Sequence, residues 1–274
     1  MKVSIIGLGL IGGSIALSLK NNPAYTISGV ESNQMHADEA VKLGLVDKLN
    51  SLEEALKDDI VILSTPVDAC IDILQKYDFA NKNTTIIDVG STKEKISKAI
   101  SGAKREQLVA AHPMAGTEYS GPSAAMSGLF ENKTVVICDK ELSGEKHIQK
   151  ATQIFLDMKM KIIEMDSKTH DMHAAYISHL PHIISYSIAN TVLDRENPTD
   201  ILSMAAGGFR DMSRLAKSRP DLWTQIFRQN KENLLESVSF FEENLTALKE
   251  LVKKDDWEGL QKALTKAQGL HSIF

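Results

Sequence analysis

Apolar positions in the first three fifths of the chain gather into short runs at 3–6, 26–30, 60–64, 85–89, 108–111, 134–138 and 161–163. Several of these runs are nearly continuous in Val, Ile and Leu rather than alternating, which predicts strands covered on both faces. Between them lie amphipathic stretches of helical spacing. Strand and helix in alternation predict βαβ units, so the expected architecture is an open, doubly wound and mostly parallel α/β sheet. After about Asp166 the β-branched runs stop and long helical patterns take over. That change predicts an α/β domain over 1–165 and an all-α domain over 166–274. Within the second, Leu234, Val238, Phe241, Leu245, Leu248 and Val252 are spaced 4, 3, 4, 3, 4 and form a heptad-like seam. Such a seam needs a partner, and periodicity does not distinguish packing within the subunit from packing across a dimer.

Composition narrows the classes of function. With 274 residues, 43% of them hydrophobic, the chain can bury a substantial core. Lys and Arg total 31 against 36 Asp and Glu, and the formal charge of −5 argues against a general nucleic-acid binder. Two cysteines, Cys70 and Cys138, are too few for a disulfide framework and favour a reducing compartment. Lys2 and the apolar run at 3–19 resemble a secretory leader, but Gly7, Gly9, Gly12 and Gly13 divide that run and no clear cleavage site follows. No other apolar stretch reaches the roughly 18 residues of a membrane helix. A soluble cytoplasmic protein is expected.

The opening itself carries chemistry. Gly7-x-Gly9-x-x-Gly12 leaves a predicted strand and enters a helix, with Leu10 and Ile11 at its start. Gly7 allows the tight turn, Gly9 lets the backbone approach a pyrophosphate, and Gly12 lets helix and strand pack closely while helix N–H groups face the anion. A second predicted strand ends at Glu31, nineteen residues after Gly12 and close to the position of a ribose-binding acid. A carboxylate there accepts from the ribose hydroxyls and repels a 2′-phosphate, which favours NAD over NADP. A further strand ends in Ser64-Thr65-Pro66, at the edge where cofactors lie, although Pro66 also reads as a helix start.

A bound dinucleotide predicts redox chemistry, and therefore a group that handles a proton while a hydride moves. His112 ends a predicted strand, where a doubly wound sheet presents residues to its ligand crevice, and it is the candidate general base. Ser91 ends another strand and either orients His112 or a substrate hydroxyl, or caps a helix in the box Ser91-x-x-Glu94. His36 and His147 lie in polar helical stretches and are expected on the surface. His170, His173, His179 and His182 invite a metal site, but on an ideal helix they do not share a face and no zinc spacing accompanies them, so no metal is expected. The stretch from Gly207 to Arg219, with Arg210, Arg214, Lys217 and Arg219, is cationic and suits a carboxylate as well as a solvated face.

Taken with Asp88-Val89-Gly90-Ser91-x-Lys93, His112-Pro113-Met114-Ala115-Gly116-Thr117-Glu118, Ser178-His179-Leu180-Pro181-His182 and Gly207-Gly208-Phe209-Arg210-Asp211-x-x-Arg214 followed by Trp223, the chain resembles the prephenate dehydrogenases of tyrosine biosynthesis over nearly its whole length. The resemblance implies a Rossmann-type dinucleotide-binding domain and a helical domain that forms an intertwined homodimer. It also implies NAD-dependent oxidation and decarboxylation of prephenate to 4-hydroxyphenylpyruvate. By the same resemblance His112 is the catalytic histidine and Ser91 the serine bonded to it. His179 lies on the substrate side and Arg214 holds a substrate carboxylate. Thr117, Glu118, Asp211 and Trp223 fall at substrate-side positions that gate or support the site. An arogenate dehydrogenase is the alternative enzyme. Another two-domain hydroxyacid or imine reductase and an NAD sensor without turnover are more distant ones.

Overall fold

The structure, a computed structural model, describes residues 1–79 and 81–273. Among the described residues, eight strands form one sheet: β1 (Lys2–Ile6), β2 (Thr26–Val30), β3 (Lys48–Leu49), β4 (Ile60–Leu63), β5 (Thr85–Asp88), β6 (Leu108–Pro113), β7 (Thr134–Cys138) and β8 (Lys161–Met165). Their order across the sheet is β3-β2-β1-β4-β5-β6-β7-β8. All neighbours run parallel except β6 and β7. The winding reverses between β1 and β4, which opens a crevice beyond their carboxyl ends. In register, Ile6 lies beside Leu63, Leu63 beside Asp88 and Asp88 beside Ala110. Gly7, Ser64, Ser91 and His112 therefore emerge along a single edge.

The centre of the sheet is buried on both sides, which is why its strands read as unbroken apolar runs. Ile60, Ile62, Ile87 and Val109 pack with Ile15 and Phe155 on one face. Val61, Leu63, Ile86 and Leu108 pack with Leu56 and Leu74 on the other. Every predicted strand is present. The strand absent from the sequence reading, β3, has two exposed residues and is too short to leave a pattern. The placement of His147 is corrected. It lies buried in the Glu145–Asp157 helix with Nδ1 2.8 Å from Thr85 Oγ1, a polar residue on the face turned to the sheet. Burial brings its pKa down to about 4.

Beyond β8 the chain is helical. A helix at Ser167–Ala174 runs through a π turn at Ala175–His179 into a helix at Leu180–Leu193, followed by helices at Pro198–Ser203, Gly207–Ser213 and Pro220–Gln229. The Leu180–Leu193 helix is strongly apolar, yet Ser185 is its one buried residue among those described. The chain divides into two compact units, Met1–Asn230 and Lys231–Phe274. The change of texture expected near 166 thus falls at the end of the sheet, inside the first unit. In the second unit the Lys231–Lys253 and Trp257–Gln268 helices are joined by a turn in which Asp256 caps the latter through the Gly259 N–H. Leu245 and Val252, on the predicted seam, are about half exposed at 53% and 49%. Among the described residues no helix is long and apolar enough to cross a membrane.

Candidate active site at the carboxyl edge of the sheet

The glycine loop is shaped by contacts that no side chain would fit. Gly7 has a φ of +92°, and a Cβ there would stand 2.7 Å from the Ser64 carbonyl oxygen. A Cβ on Gly12 would stand 1.9 Å from the Gly7 carbonyl oxygen. Around Gly9, by contrast, no atom lies within 4 Å of that point, so the backbone there is open to a bulky anion. The helix begins at Leu10, and its first internal bond is Gly13 N–H to the Gly9 carbonyl at 2.8 Å. The N–H groups of Leu10, Ile11 and Gly12 are left facing out of its positive end. Glu31 stands beside this loop, with Oε2 accepting the Leu8 N–H at 2.9 Å and Oε1 the Asn33 N–H at 3.0 Å. These features suit a dinucleotide: an open pyrophosphate cradle and a carboxylate within one strand of it.

Ser64, Thr65 and Pro66 have internal duties. The Ser64 hydroxyl reaches the Ile6 and Gly7 carbonyls at 3.0 and 2.7 Å and braces the turn. Thr65 Oγ1 lies 3.3 Å from Cys70 Sγ, and Pro66 is the N-cap residue of the Val67–Lys76 helix. Burial pushes the thiols of both Cys70 and Cys138 up to about 12.

At the ends of β5 and β6 the structure builds a chain of rings and charges. His112 Nδ1 lies 2.8 Å from His170 Nε2, and the two rings meet edge to face with centroids 5.0 Å apart. His170 Nδ1 in turn lies 2.8 Å from Asp171 Oδ1. The Asp171 carboxylate accepts the backbone N–H of Lys93 at 2.8 Å and of Glu94 at 2.9 Å. It therefore starts the Glu94–Ser97 helix, and the Ser91-x-x-Glu94 capping box expected from the sequence does not form. A distant carboxylate reaches those N–H groups in place of the local hydroxyl. Ser91 makes no side-chain hydrogen bond among the described residues, and the expected Ser91–His112 bond is replaced by His170. Beside it, Thr92 Oγ1 is buried without a partner among the described residues, an orphan polar atom at the ligand edge.

Lys93 is fully buried, ion-paired with Asp88, and donates to the Ala111 carbonyl at 2.8 Å. Burial first, and then the neighbouring His170, Lys93 and His179, hold His112 well below the usual histidine pKa. A neutral imidazole results, and its Nε2 makes no hydrogen bond within the chain among the described residues. That nitrogen can accept a proton.

The π turn supplies the break that the four histidines require. Its wider turn inserts roughly one extra residue into the helical phase, and it ends at His179, which is buried. Asn230 Nδ2 donates to the Asp171 carbonyl at 2.6 Å, which fixes its amide orientation, and the same group lies 3.2 Å from His179 Nδ1. Burial brings His179 down to about 4, so its neutral ring accepts at Nδ1 and carries its hydrogen on Nε2. His182 Nδ1 lies 2.9 Å from the Ser178 carbonyl, and its ring stacks on Trp223 at 3.4 Å between centroids. Trp223 also meets His179 edge on, at 6.1 Å. His173 stays exposed.

Arg214 and Glu118 come together, with Arg214 Nη1 3.3 Å from Glu118 Oε2. Glu118 also lines a cavity of about 630 Å³ together with Tyr119, Met126, Lys217 and Arg219. Thr117 is exposed and accepts the Tyr119 N–H at 3.3 Å. Asp211 is exposed on the Gly207–Ser213 helix and makes no side-chain bond among the described residues. The structure therefore gathers His112, His179, Arg214, Glu118 and Trp223 into interacting groups and leaves Thr117 and Asp211 at the surface. Sequence reasoning singled out His170 among four histidines without assigning its role, and missed the parts of Asp171 and Lys93. The His170-Asp171 dipeptide just inside a helix start was the available signal.

A family model described as the nucleotide-binding domain of prephenate dehydrogenase matches residues 15–164, and one described as its dimerization domain matches 166–266. The chain belongs to the prephenate dehydrogenase family. It is 33% identical over 266 residues to the prephenate dehydrogenase of Bacillus subtilis, covering 94% of this chain and 72% of that protein. The crystal structure of Aquifex aeolicus prephenate dehydrogenase with hydroxyphenyl propionate and NAD⁺ matches at a TM-score of 0.92 and 30% identity, over 100% of this chain and 98% of that one. The Synechocystis arogenate dehydrogenase matches at a TM-score of 0.77 and 28% identity, over 100% and 99%. The glycine loop precedes the residues matched by the nucleotide-binding model, so its reading rests on the geometry above.

Proposed function

We propose that this chain oxidises and decarboxylates prephenate to 4-hydroxyphenylpyruvate in tyrosine biosynthesis, with NAD as its cofactor. The observation that carries this reading is His112, an imidazole kept neutral at the ligand edge with Nε2 uncommitted. Gly7, Gly9, Leu10, Ile11 and Gly12 would hold the pyrophosphate, Glu31 the ribose, and Ser64, Thr65 and Pro66 would close that side of the crevice. When bound, NAD accepts the hydride from the ring carbon that bears the hydroxyl. His112 takes the hydroxyl proton, a contribution of about 10²–10⁴-fold. Ser91, which makes no side-chain hydrogen bond among the described residues, presents its hydroxyl to the same substrate oxygen. His179, with its hydrogen on Nε2, donates to the substrate. Loss of the ring carboxylate as carbon dioxide makes the product aromatic, so the residues' task is orientation and proton removal.

Arg214 holds a substrate carboxylate, for which its planar two-donor fork is suited. Glu118 already occupies that guanidinium, so the carboxylate competes with it and Glu118 acts as a gate. Trp223, stacked on His182, forms a wall of the cleft, while Thr117 and Asp211 belong to its rim. The functional division falls at 165/166, and two copies pair through the helical part. The apolar Leu180–Leu193 helix and the exposed seam residues Leu245 and Val252 support the pairing. The enzyme works in the cytoplasm.

A second reading, oxidation of arogenate, is favoured by the likeness to the Synechocystis enzyme. Initial rates of NADH formation with prephenate and with arogenate test both. The expected result is faster turnover of prephenate. A preference for arogenate supports the second reading, and no NADH from either substrate overturns both.

A further inference from the structure

We propose that His170 and Asp171 form a relay behind the base, holding His112 in the tautomer that leaves Nε2 bare and stabilising the ring once a proton has arrived there. The inference rests on the reading of His112 as proton acceptor and deepens it.

The assignment follows from which atoms can donate. An ionised carboxylate only accepts, and Asp171 already takes two backbone N–H bonds, from Lys93 and Glu94. His170 Nδ1, 2.8 Å from Asp171 Oδ1, must therefore carry a hydrogen. In a neutral ring that leaves His170 Nε2 as a lone pair. His112 Nδ1, 2.8 Å away, must then be the donor. The remaining nitrogen of His112 has no hydrogen, which is the form a general base requires. His170 is buried and both its ring nitrogens are spent on this chain of contacts. Helix capping explains the Asp171 carboxylate but gives no role to the ring between it and His112.

The relay acts unevenly along the reaction. The groups facing His112 are Lys93 with its partner Asp88 from the β5 end, His170 and Asp171 from the Ser167–Ala174 helix, and His179 from the π turn. Burial and the Lys93 cation favour the neutral ring at rest. When the substrate hydroxyl passes its proton to Nε2, the ring becomes an imidazolium and its Nδ1–H bond to His170 becomes charge-assisted, roughly twice as strong as a neutral one. The hydrogen on Nδ1 stays where it is and Asp171 remains ionised, so within the relay the incoming proton makes the one new bond, to Nε2, while the hydride and the carboxylate leave from the substrate. Stabilisation that appears only after proton arrival speeds the step. His170 and Asp171 are thus positioning residues.

The test uses the full-length protein labelled with ¹⁵N in histidine. The His112 ring resonances are expected to show Nδ1 protonated and Nε2 bare, with that preference lost in His170→Leu. A wild-type His112 protonated at Nε2 overturns the relay, and because this readout needs no turnover it is independent of the proposed substrate. In the kinetic arm, His170→Leu is expected to lower kcat by about 10²–10³-fold with NAD⁺ affinity unchanged. His170→Gln, whose amide oxygen can stand where Nε2 stood, is expected to recover activity to within about tenfold of wild type. Equal losses in the two variants, or none in either, overturn the proposal.

Discussion

His112 is placed so that burial and three neighbouring cationic or titratable groups oppose its charged form. Replacing it with Asn removes the accepting Nε2 while keeping a polar side chain. His112→Asn is expected to lower kcat by about 10²–10⁴-fold, with NAD⁺ dissociation constant near wild type by fluorescence titration. Glu31 occupies a comparable position for cofactor choice, since its carboxylate is anchored by the Leu8 and Asn33 N–H groups rather than left to swing. Glu31→Ala is expected to narrow the preference for NAD⁺ over NADP⁺, read as the ratio of kcat/KM for the two. Both residues were legible because each ends a strand, and strand ends in a doubly wound sheet face the ligand. His170 and Asp171 were not. Their partners lie 58 and 78 positions away in sequence, and the register of the fold is what joins them.

At the scale of elements, the glycine loop separates two functions that a motif reading treats together. Gly12 is packed against the Gly7 carbonyl, whereas Gly9 faces open space. Gly12→Ala is therefore expected to cost about 1–3 kcal/mol in chemical denaturation as well as cofactor affinity. Gly9→Ala should weaken cofactor binding with stability near wild type. The central strands were readable because they are buried on both faces, while β3 left no pattern in two residues. The Ser91 box misled because local sequence cannot reveal that Asp171 supplies the cap. The histidine-rich segment resisted reading for a different reason: helical phase was counted at a constant angle, and the π turn at Ala175–His179 breaks that count.

The whole molecule should be sensitive to acid. His112, His147 and His179 all have depressed native pKa values, the last two at about 4 against an ordinary 6.5. An unfolded chain takes up protons in that interval that the native state refuses, so stability is fully present above about pH 6.5 and falls as pH drops toward 4. Thermal unfolding midpoints are expected to decline across this window, and a flat profile would contradict the burial of these rings. Association belongs to the same scale. Leu245→Asp, on the half-exposed seam, is expected to shift sedimentation toward a single chain, because a charge in the proposed apolar interface would lack a partner. The change from sheet to helix near 166 was visible in the sequence, whereas the break between compact units at 230 was not, since helical patterns continue across it.

Cys70 and Cys138 are both enclosed by the sheet and its helices, with their thiols raised to about 12. Peroxide and mixed-disulfide chemistry proceed through the ionised sulfur, which neither residue offers at neutral pH. Thiol-directed oxidants and alkylating reagents thus gain no purchase on the native fold, and sulfhydryl reactivity becomes a gauge of how often the sheet opens.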